Sequence, residues 1–473
     1  MNLPRLAPLL SLTCVLVGCG DVETDSRSES RPESRPNLLL MLTDDQRYDT
    51  LSCTGNEVLS TPNIDRLASE GVLFSRAYVT TSLCCPARAS LLTGRYAHRT
   101  GIRNNEDTTA FLADAAGFPE RLQAAGYETA FFGKWHIPNP GAAPQPGFDH
   151  WVSFEGQGKY DRETYNINGE TRAIPGFSTD VLTDLAREWI ERPRDGPFCL
   201  ILSVKNLHGP YFPPKRHRRE FLDVEFSPPD SFDDPDQIVA DTKRRNKVKK
   251  RARRFAGEDS HDDLERGYHQ LVLSIDDNLG RLYETLESTG VMDRTAIVFT
   301  SDGGFMWGEH GLYRKRTAYE PSIHVPLLMR LPGDVPAGRV IDGLVLNIDL
   351  APTLLDLAGA VIPAGVQGMS FVPLWRSEGS PWRKDFLYID GWGRFLPGPH
   401  EMAVIGSRYK YVRNRGSVIE ETLFDLDSDP DERTDLASQP EHAEILAGLR
   451  ERMGTLVSEL EAPADWMEVF PDK

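Results

Sequence analysis

Four short apolar runs each end in residues that can do acid–base, nucleophilic or metal chemistry. Asn37-Leu38-Leu39-Leu40-Met41-Leu42 leads into Thr43-Asp44-Asp45, and Thr129-Ala130-Phe131-Phe132 into Gly133-Lys134-Trp135-His136. Phe198-Cys199-Leu200-Ile201-Leu202-Ser203 leads into Lys205 and His208, and Thr295-Ala296-Ile297-Val298-Phe299-Thr300 into Ser301-Asp302-Gly303-Gly304. Asp44, Asp45 and Asp302 offer only oxygen, and three carboxylates brought together repel unless a cation lies among them. An all-oxygen set favours Ca²⁺, with Mg²⁺ as the alternative, over zinc. Lys134 and His136 are two apart, so a continuing strand turns both to one face. A cation beside an imidazole suits an anionic substrate oxygen together with proton transfer. His208 and Lys315 extend the set. Singly, an Asp-Asp pair is a turn or a helix cap, and a histidine is an ordinary core or surface residue. Repetition at four run ends is what points to a site.

Runs of this length and composition read as strands buried on both faces. Helical stretches at 63–70, 118–125, 179–191 and 263–288 separate them, and strands alternating with helices predict a parallel sheet with helices on both faces. Such sheets bind ligands beyond the carboxyl ends of their strands. In the segment Cys84-Cys85-Pro86-Ala87-Arg88-Ala89-Ser90-Leu91-Leu92-Thr93-Gly94-Arg95-Tyr96, Pro86 suits a first helical turn and Gly94 a stop. Cys84 is then placed at a helix N-terminus, where backbone N–H groups favour an anion.

The chain has 473 residues, room for about two to three domains. Lys and Arg number 53 against 71 Asp and Glu, a net charge of −18 that argues against a general nucleic-acid binder. One local basic cleft can still take an anionic substrate. No apolar run approaches the roughly 20 residues of a spanning helix. The stretch 9–17 after Arg5 reads instead as a signal h-region, and Leu16-Val17-Gly18-Cys19 resembles a bacterial lipobox. The expectation is an exported protein of the periplasm or cell envelope, anchored by acyl chains on Cys19, with 1–18 as signal peptide and 19–35 as a flexible tether. The cysteines at 53, 84, 85 and 199 are too few and scattered for a disulfide framework, and Cys199 reads as a core thiol. Nine basic residues within 243–254 read as a solvated helix face, with a guide surface for a sulfated polymer as the functional alternative.

The 84–96 segment closely resembles the signature of the formylglycine-dependent sulfatases, a family of the alkaline-phosphatase-like superfamily. The match is Cys84-Cys85-Pro86-Ala87-Arg88 followed by Thr93-Gly94-Arg95, with Ala87 in place of the usual Ser. Further matches follow in order: Asp44-Asp45, Gly133-Lys134-Trp135-His136, His208 before Pro210, Thr300-Ser301-Asp302, and Lys315-Arg316 after Gly308-Glu309-His310-Gly311. Leu423-Phe424-Asp425-Leu426 with Asp429-Pro430 and Glu432 resembles the family's C-terminal signature.

The resemblance implies an α/β catalytic domain at 36–370, with a large mixed, mostly parallel sheet. A smaller antiparallel sheet-and-helix subdomain follows at 371–473. It implies that a maturation enzyme converts Cys84 to formylglycine (3-oxoalanine), whose hydrate is the nucleophile on a sulfate ester. Asp44, Asp45, Asp302 and residue 84 would hold Ca²⁺, and Arg88 would hold the hydrate. Lys134 and Lys315 would neutralise sulfate oxygens, and His208 would protonate the leaving alcohol. His136 would take the proton whose loss expels sulfate. Gly303 departs from the family pattern, which places Asn or another polar ligand after the metal Asp. The metal then lacks a side-chain oxygen, which water or a backbone carbonyl replaces, and the first glycine of Gly303-Gly304 is a candidate for positive φ.

The segment around 308–320 resembles bacterial exo-sulfatases of glycans, with His310 a candidate contact to sugar or sulfate. Pro397-Gly398-Pro399-His400 ahead of Tyr409-Lys410-Tyr411 resembles members acting on N-acetylglucosamine-6-sulfate. Two rivals remain from the sequence: a formylglycine-dependent phosphonate monoester or phosphodiester hydrolase, and an unconverted lipoprotein that binds sulfated glycans without turnover.

Overall fold

A computed structural model describes residues 35–106, 117–137, 141–234, 261–377, 379–390, 400–415 and 419–463. The signal-type segment with Cys19, the tether up to residue 34, the basic run 243–254 and Pro397-Gly398-Pro399 lie outside the described residues.

The four apolar runs form the strands Thr295–Ser301, Asn37–Thr43, Phe198–Ser203 and Glu128–Gly133, adjacent in that order and all parallel. Their ends are level, with Thr43 opposite Ser301, Leu42 opposite Ser203, and Ser203 opposite Gly133. The chemistry-bearing residues that follow therefore emerge along one edge. Alternation sends successive side chains into two cores. Leu39, Met41, Phe132, Leu200, Leu202, Ile297 and Phe299 enter one. Leu38, Leu40, Leu42, Phe131, Ile201 and Val298 enter the other. Each such side chain contributes about 1.5–3 kcal/mol by leaving water, which is why unbroken apolar runs mark these strands.

Six more strands extend this sheet to ten. Leu327–Arg330, Val72–Phe74 and Arg339–Ile341 lie beyond Thr295–Ser301, and His150–Ser153, Asp161–Ile167 and Glu170–Phe177 lie beyond Glu128–Gly133. Antiparallel pairings near both edges make the sheet mixed. The helices Pro62–Glu70, Ser178–Ile190 and His261–Ser288 pack into the first core. Cys84–Thr93, Phe118–Ala124 and Leu350–Leu357 pack into the second. The sheet is thus covered on both faces, as expected of a parallel centre.

The strands Asp385–Asp390, Glu401–Gly406, Tyr409–Arg415 and Ile419–Asp425 form a four-stranded antiparallel sheet, and the helix Ala443–Glu459 follows. A third core joins Phe386, Leu387, Val404, Leu423 and Met453 to Tyr78, Tyr96, Met306, Leu312 and Tyr319. Among the described residues, no helix is long and apolar enough to cross a membrane.

Candidate active site

The helix Cys84–Thr93 begins at Cys84 and ends where Gly94 turns left-handed (φ 66°), its amide donating to the Ser90 carbonyl. Every residue of it is buried, so Arg88 must find its partners inside the protein. Arg88 Nε donates to Asp302 Oδ2 at 2.6 Å, and its Nη1 donates to the Lys134 carbonyl at 2.7 Å and to Ser203 Oγ at 2.6 Å. One guanidinium thus ties together the ends of three strands. Its Nη2 is buried with no hydrogen-bond partner among the described residues.

Two lysines reach the carboxylates. Lys134 Nζ pairs with Asp44 Oδ2, and Lys315 Nζ pairs with Asp45 Oδ1 and donates to Cys84 Sγ at 2.8 Å. Asp45 takes a left-handed conformation (φ 63°), and its amide donates to Asp302 Oδ1 at 3.2 Å. Burial raises the Asp44 carboxyl, but Lys134, His208, Lys315 and Arg88 outweigh it and hold the group well below the usual carboxylate range. Burial pushes Asp45 up to about 7, opposed by Lys315 and reinforced by Asp44 and Asp302. Burial likewise raises the Cys84 thiol to about 11.

Ligand atoms of Asp44, Asp45 and Cys84 lie within 4.8 Å of one another, and the Asp302 carboxylate touches the Asp45 amide. This donor set fits a hard divalent cation once residue 84 offers oxygen, because two buried acids with opposed shifts are relieved by a positive charge among them. The left-handed glycine considered from the sequence is not found at Gly303. It lies outside the positive-φ residues, and a Cβ there would meet nothing closer than Ser82 at 3.9 Å. The Gly303 carbonyl accepts from Ser301 Oγ at 2.9 Å.

The histidines sit differently from a simple strand continuation. The strand stops at Gly133 (φ 113°), and His136 is itself left-handed (φ 50°), so period-two geometry does not bring Lys134 and His136 together. Gln157 does. Its Oε1 accepts from Lys134 Nζ at 2.6 Å, and its Nε2 lies 3.1 Å from His136 Nε2. Burial, with Lys134 and Arg88 nearby, lowers His136 to about 2.

His208 is lowered well below its usual value, first by burial. Its Nδ1 lies 2.8 Å from the Gly209 carbonyl, and its own carbonyl accepts from Tyr160 Oη at 2.8 Å and Lys205 Nζ at 3.4 Å. Lys205, which the sequence set after the third run without a role, is buried, and burial and Lys134 lower it to about 8.

His310 is placed apart from this cluster. It is buried and stacks on Tyr319 at 4.2 Å, with Nε2 3.1 Å from the Asp431 carbonyl. It shares no hydrogen bond, ion pair or ring contact with the cluster among the described residues.

A family model described as "Sulfatase" matches residues 36–360. The chain belongs to the sulfatase family. It hydrolyses sulfate esters, and the buried cations around Cys84 are what an anionic ester requires. A second model, "N-sulphoglucosamine sulphohydrolase, C-terminal", matches residues 308–459 of this sulfatase. It is 33% identical to an N-acetylglucosamine-6-O-sulfatase of Bacteroides thetaiotaomicron, over 93% of this chain and 88% of the relative. It is 32% identical to the human N-acetylglucosamine-6-sulfatase, over 84% and 74%. A solved structure in complex with its substrate D-glucosamine-2-N,6-O-disulfate superposes with a TM-score of 0.82 at 30% identity, over 92% of this chain and all (100%) of that one. Likeness to a phosphonate monoester hydrolase of Agrobacterium radiobacter, with a TM-score of 0.74 at 24% identity, extends to the fold alone.

Sequence reasoning missed Gln157, Ser203 and Tyr160. Only Gln157 carried a signal: a polar side chain between two glycines, Gly156 and Gly158, just past a strand.

Proposed function

We propose that this sulfatase removes 6-O-sulfate from N-acetylglucosamine or glucosamine units of a glycan, using a formylglycine made from Cys84 and a Ca²⁺ held by Asp44, Asp45, Asp302 and residue 84. The observation that carries the chemistry is the convergence of Arg88, Lys134 and Lys315 with three aspartates around the first residue of one buried helix. The substrate rests on the named activities of the relatives and on the disulfated glucosamine bound by the similar structure.

When present, the cation would lower the pKa of a hydroxyl and polarise the sulfate, and a formylglycine hydrate would supply that hydroxyl. The protein's own side chains do the rest. Lys134 and Lys315 are placed to neutralise sulfate oxygens. Arg88 holds charge that develops at residue 84. His208, with Nδ1 donating to the Gly209 carbonyl, must carry a second proton on Nε2 to protonate the leaving alcohol, and the negative charge of a bound sulfate ester favours that form. His136 takes the proton whose loss expels sulfate. A maturation enzyme as partner, export with an acyl anchor on Cys19, and a division into 36–370 and 371–473 complete the reading.

Glucosamine and N-acetylglucosamine carrying one sulfate at the 2-N, 3-O or 6-O position separate the possibilities. The 6-O isomer should be desulfated fastest, and a faster 2-N or 3-O isomer would contradict the substrate assignment. Exhaustive chelation should abolish turnover, with Ca²⁺ restoring it better than Zn²⁺. Full activity after verified metal removal would contradict the metal site.

A further inference from the structure

Gln157 stands where two loops meet. It follows the strand His150–Ser153, whose parallel neighbour Glu128–Gly133 leads into Lys134 and His136, with Ser153 opposite Gly133. Gly156 and Gly158 flank it, both left-handed (φ 58° and 66°), and the Gly158 amide donates to the Glu155 carbonyl at 3.2 Å. A Cβ at position 158 would run into the Phe154 ring, which is itself fixed in the core. Non-glycine residues pay for left-handed backbone, so this Gly-Gln-Gly turn has little choice of shape.

The chemistry of its partners sets the amide's orientation. A lysine ammonium has donors only, so the atom 2.6 Å from Lys134 Nζ must be the Gln157 oxygen. The other end of the amide is then NH₂, which can only donate. The atom it faces at 3.1 Å, His136 Nε2, must accept. An imidazole that accepts at Nε2 is neutral and carries its proton on Nδ1.

We propose that Gln157 is a positioning residue that couples Lys134 to His136 and holds the His136 ring as the neutral Nδ1–H tautomer, so that a proton taken up by His136 goes to Nε2 and displaces the Gln157 amide contact. This rests on the role given to His136 above. The charged and titratable groups facing the ring are Lys134 on its own segment, Arg88 and Cys85 on the helix Cys84–Thr93, Asp44 after the central strand, and His208. Burial and the cations among them already disfavour imidazolium. Gln157 adds what they lack, a choice between the two nitrogens.

The test uses matured, calcium-loaded enzyme with ¹⁵N-labelled histidine, the His136 signals being identified by their loss in His136→Asn. In the wild type, His136 should show a protonated Nδ1 and an unprotonated Nε2. Gln157→Glu has no amide donor, so Nε2 should gain a proton and the acidic limb of kcat against pH should move to higher pH. Gln157→Met removes both contacts, and kcat should fall about 10- to 100-fold, the range for losing a group that orients another, with KM changed less. A protonated Nε2 in the wild type, or identical His136 spectra in all three proteins, would overturn the proposal, and the wild-type measurement needs no variant to fold. Retained activity in His136→Asn would instead overturn the role of His136, leaving the tautomer result to judge Gln157 separately.

Discussion

Two buried charge clusters in this sulfatase use the same ingredients to opposite ends. At the end of the parallel strands, Lys134, Lys315 and Arg88 face Asp44, Asp45 and Asp302. Beside the antiparallel sheet, Lys410 lies between Glu320 and Glu432 at 2.8 and 2.6 Å and donates to the Ala318 carbonyl at 2.7 Å. There the carboxylates are also claimed by neighbours: Glu432 Oε2 accepts from the Glu320 amide at 2.7 Å, and Tyr78 Oη donates to Glu320 at 3.2 Å. That cluster is closed by protein groups: the two carboxylate oxygens without a hydrogen bond among the described residues, Glu320 Oε1 and Glu432 Oε1, are the ones ion-paired with Lys410. The first keeps a buried Arg88 Nη2 without a hydrogen-bond partner among the described residues, and a glycine at 303 where a Cβ has room. Burying charge is costly in both places. The difference lies in what is left over: the second cluster has become structure, whereas the first retains donors and acceptors for a cation and an anion.

Substitutions should separate the two by what they damage. Cys84→Ala should lower kcat on the order of 10⁴-fold or more, since it removes the covalent route, with little change in Tm. Cys84→Ser should also lose turnover, and sulfated enzyme should accumulate. Residual turnover within tenfold of wild type in either would break the contrast. Lys410→Met should do the reverse, destabilising the fold by about 3–5 kcal/mol in urea unfolding because two buried carboxylates lose their cation, while kcat per folded molecule holds. A stable variant with lost activity would place Lys410 in the catalytic machinery.

Acid titration sharpens the same comparison. Burial pushes Glu432 up from 4.5 to about 7, opposed by Lys410. Between those values the folded chain keeps a proton that the unfolded chain has released. Relative to Glu432→Gln, wild-type stability should therefore be highest below pH 4.5 and fall by about 3 kcal/mol as pH rises to about 7. A constant difference across that window would contradict the shift. The smallest effect is expected at Gly303, where space and backbone both admit a side chain. Gly303→Asn should tighten Ca²⁺ about three- to tenfold by adding an oxygen. Weaker binding would mean that the segment after Asp302 is built for another ligand.

Much of the sheet and its edge was legible because burial on two faces leaves continuous apolar runs, and because strands that run parallel put their ends together. The Cys84 helix was legible from Pro86 and Gly94. Loop convergence was not. Periodicity offered only a strand as the link between Lys134 and His136, while the chain uses two left-handed turns and a glutamine from another loop. Nor did spacing reveal that Lys410, read beside Tyr409 and Tyr411 as a likeness to one substrate class, is fully buried with partners far along the chain. Charge pairs between distant segments leave no local pattern.

The chemistry at residue 84 decides the account. Trypsin should release residues 77–88, which contain no internal Lys or Arg, from active enzyme made with a maturation system. The mass of that peptide should show an aldehyde side chain, CHO in place of CH₂SH, at position 84. An active preparation in which Cys84 is wholly unmodified would contradict the account.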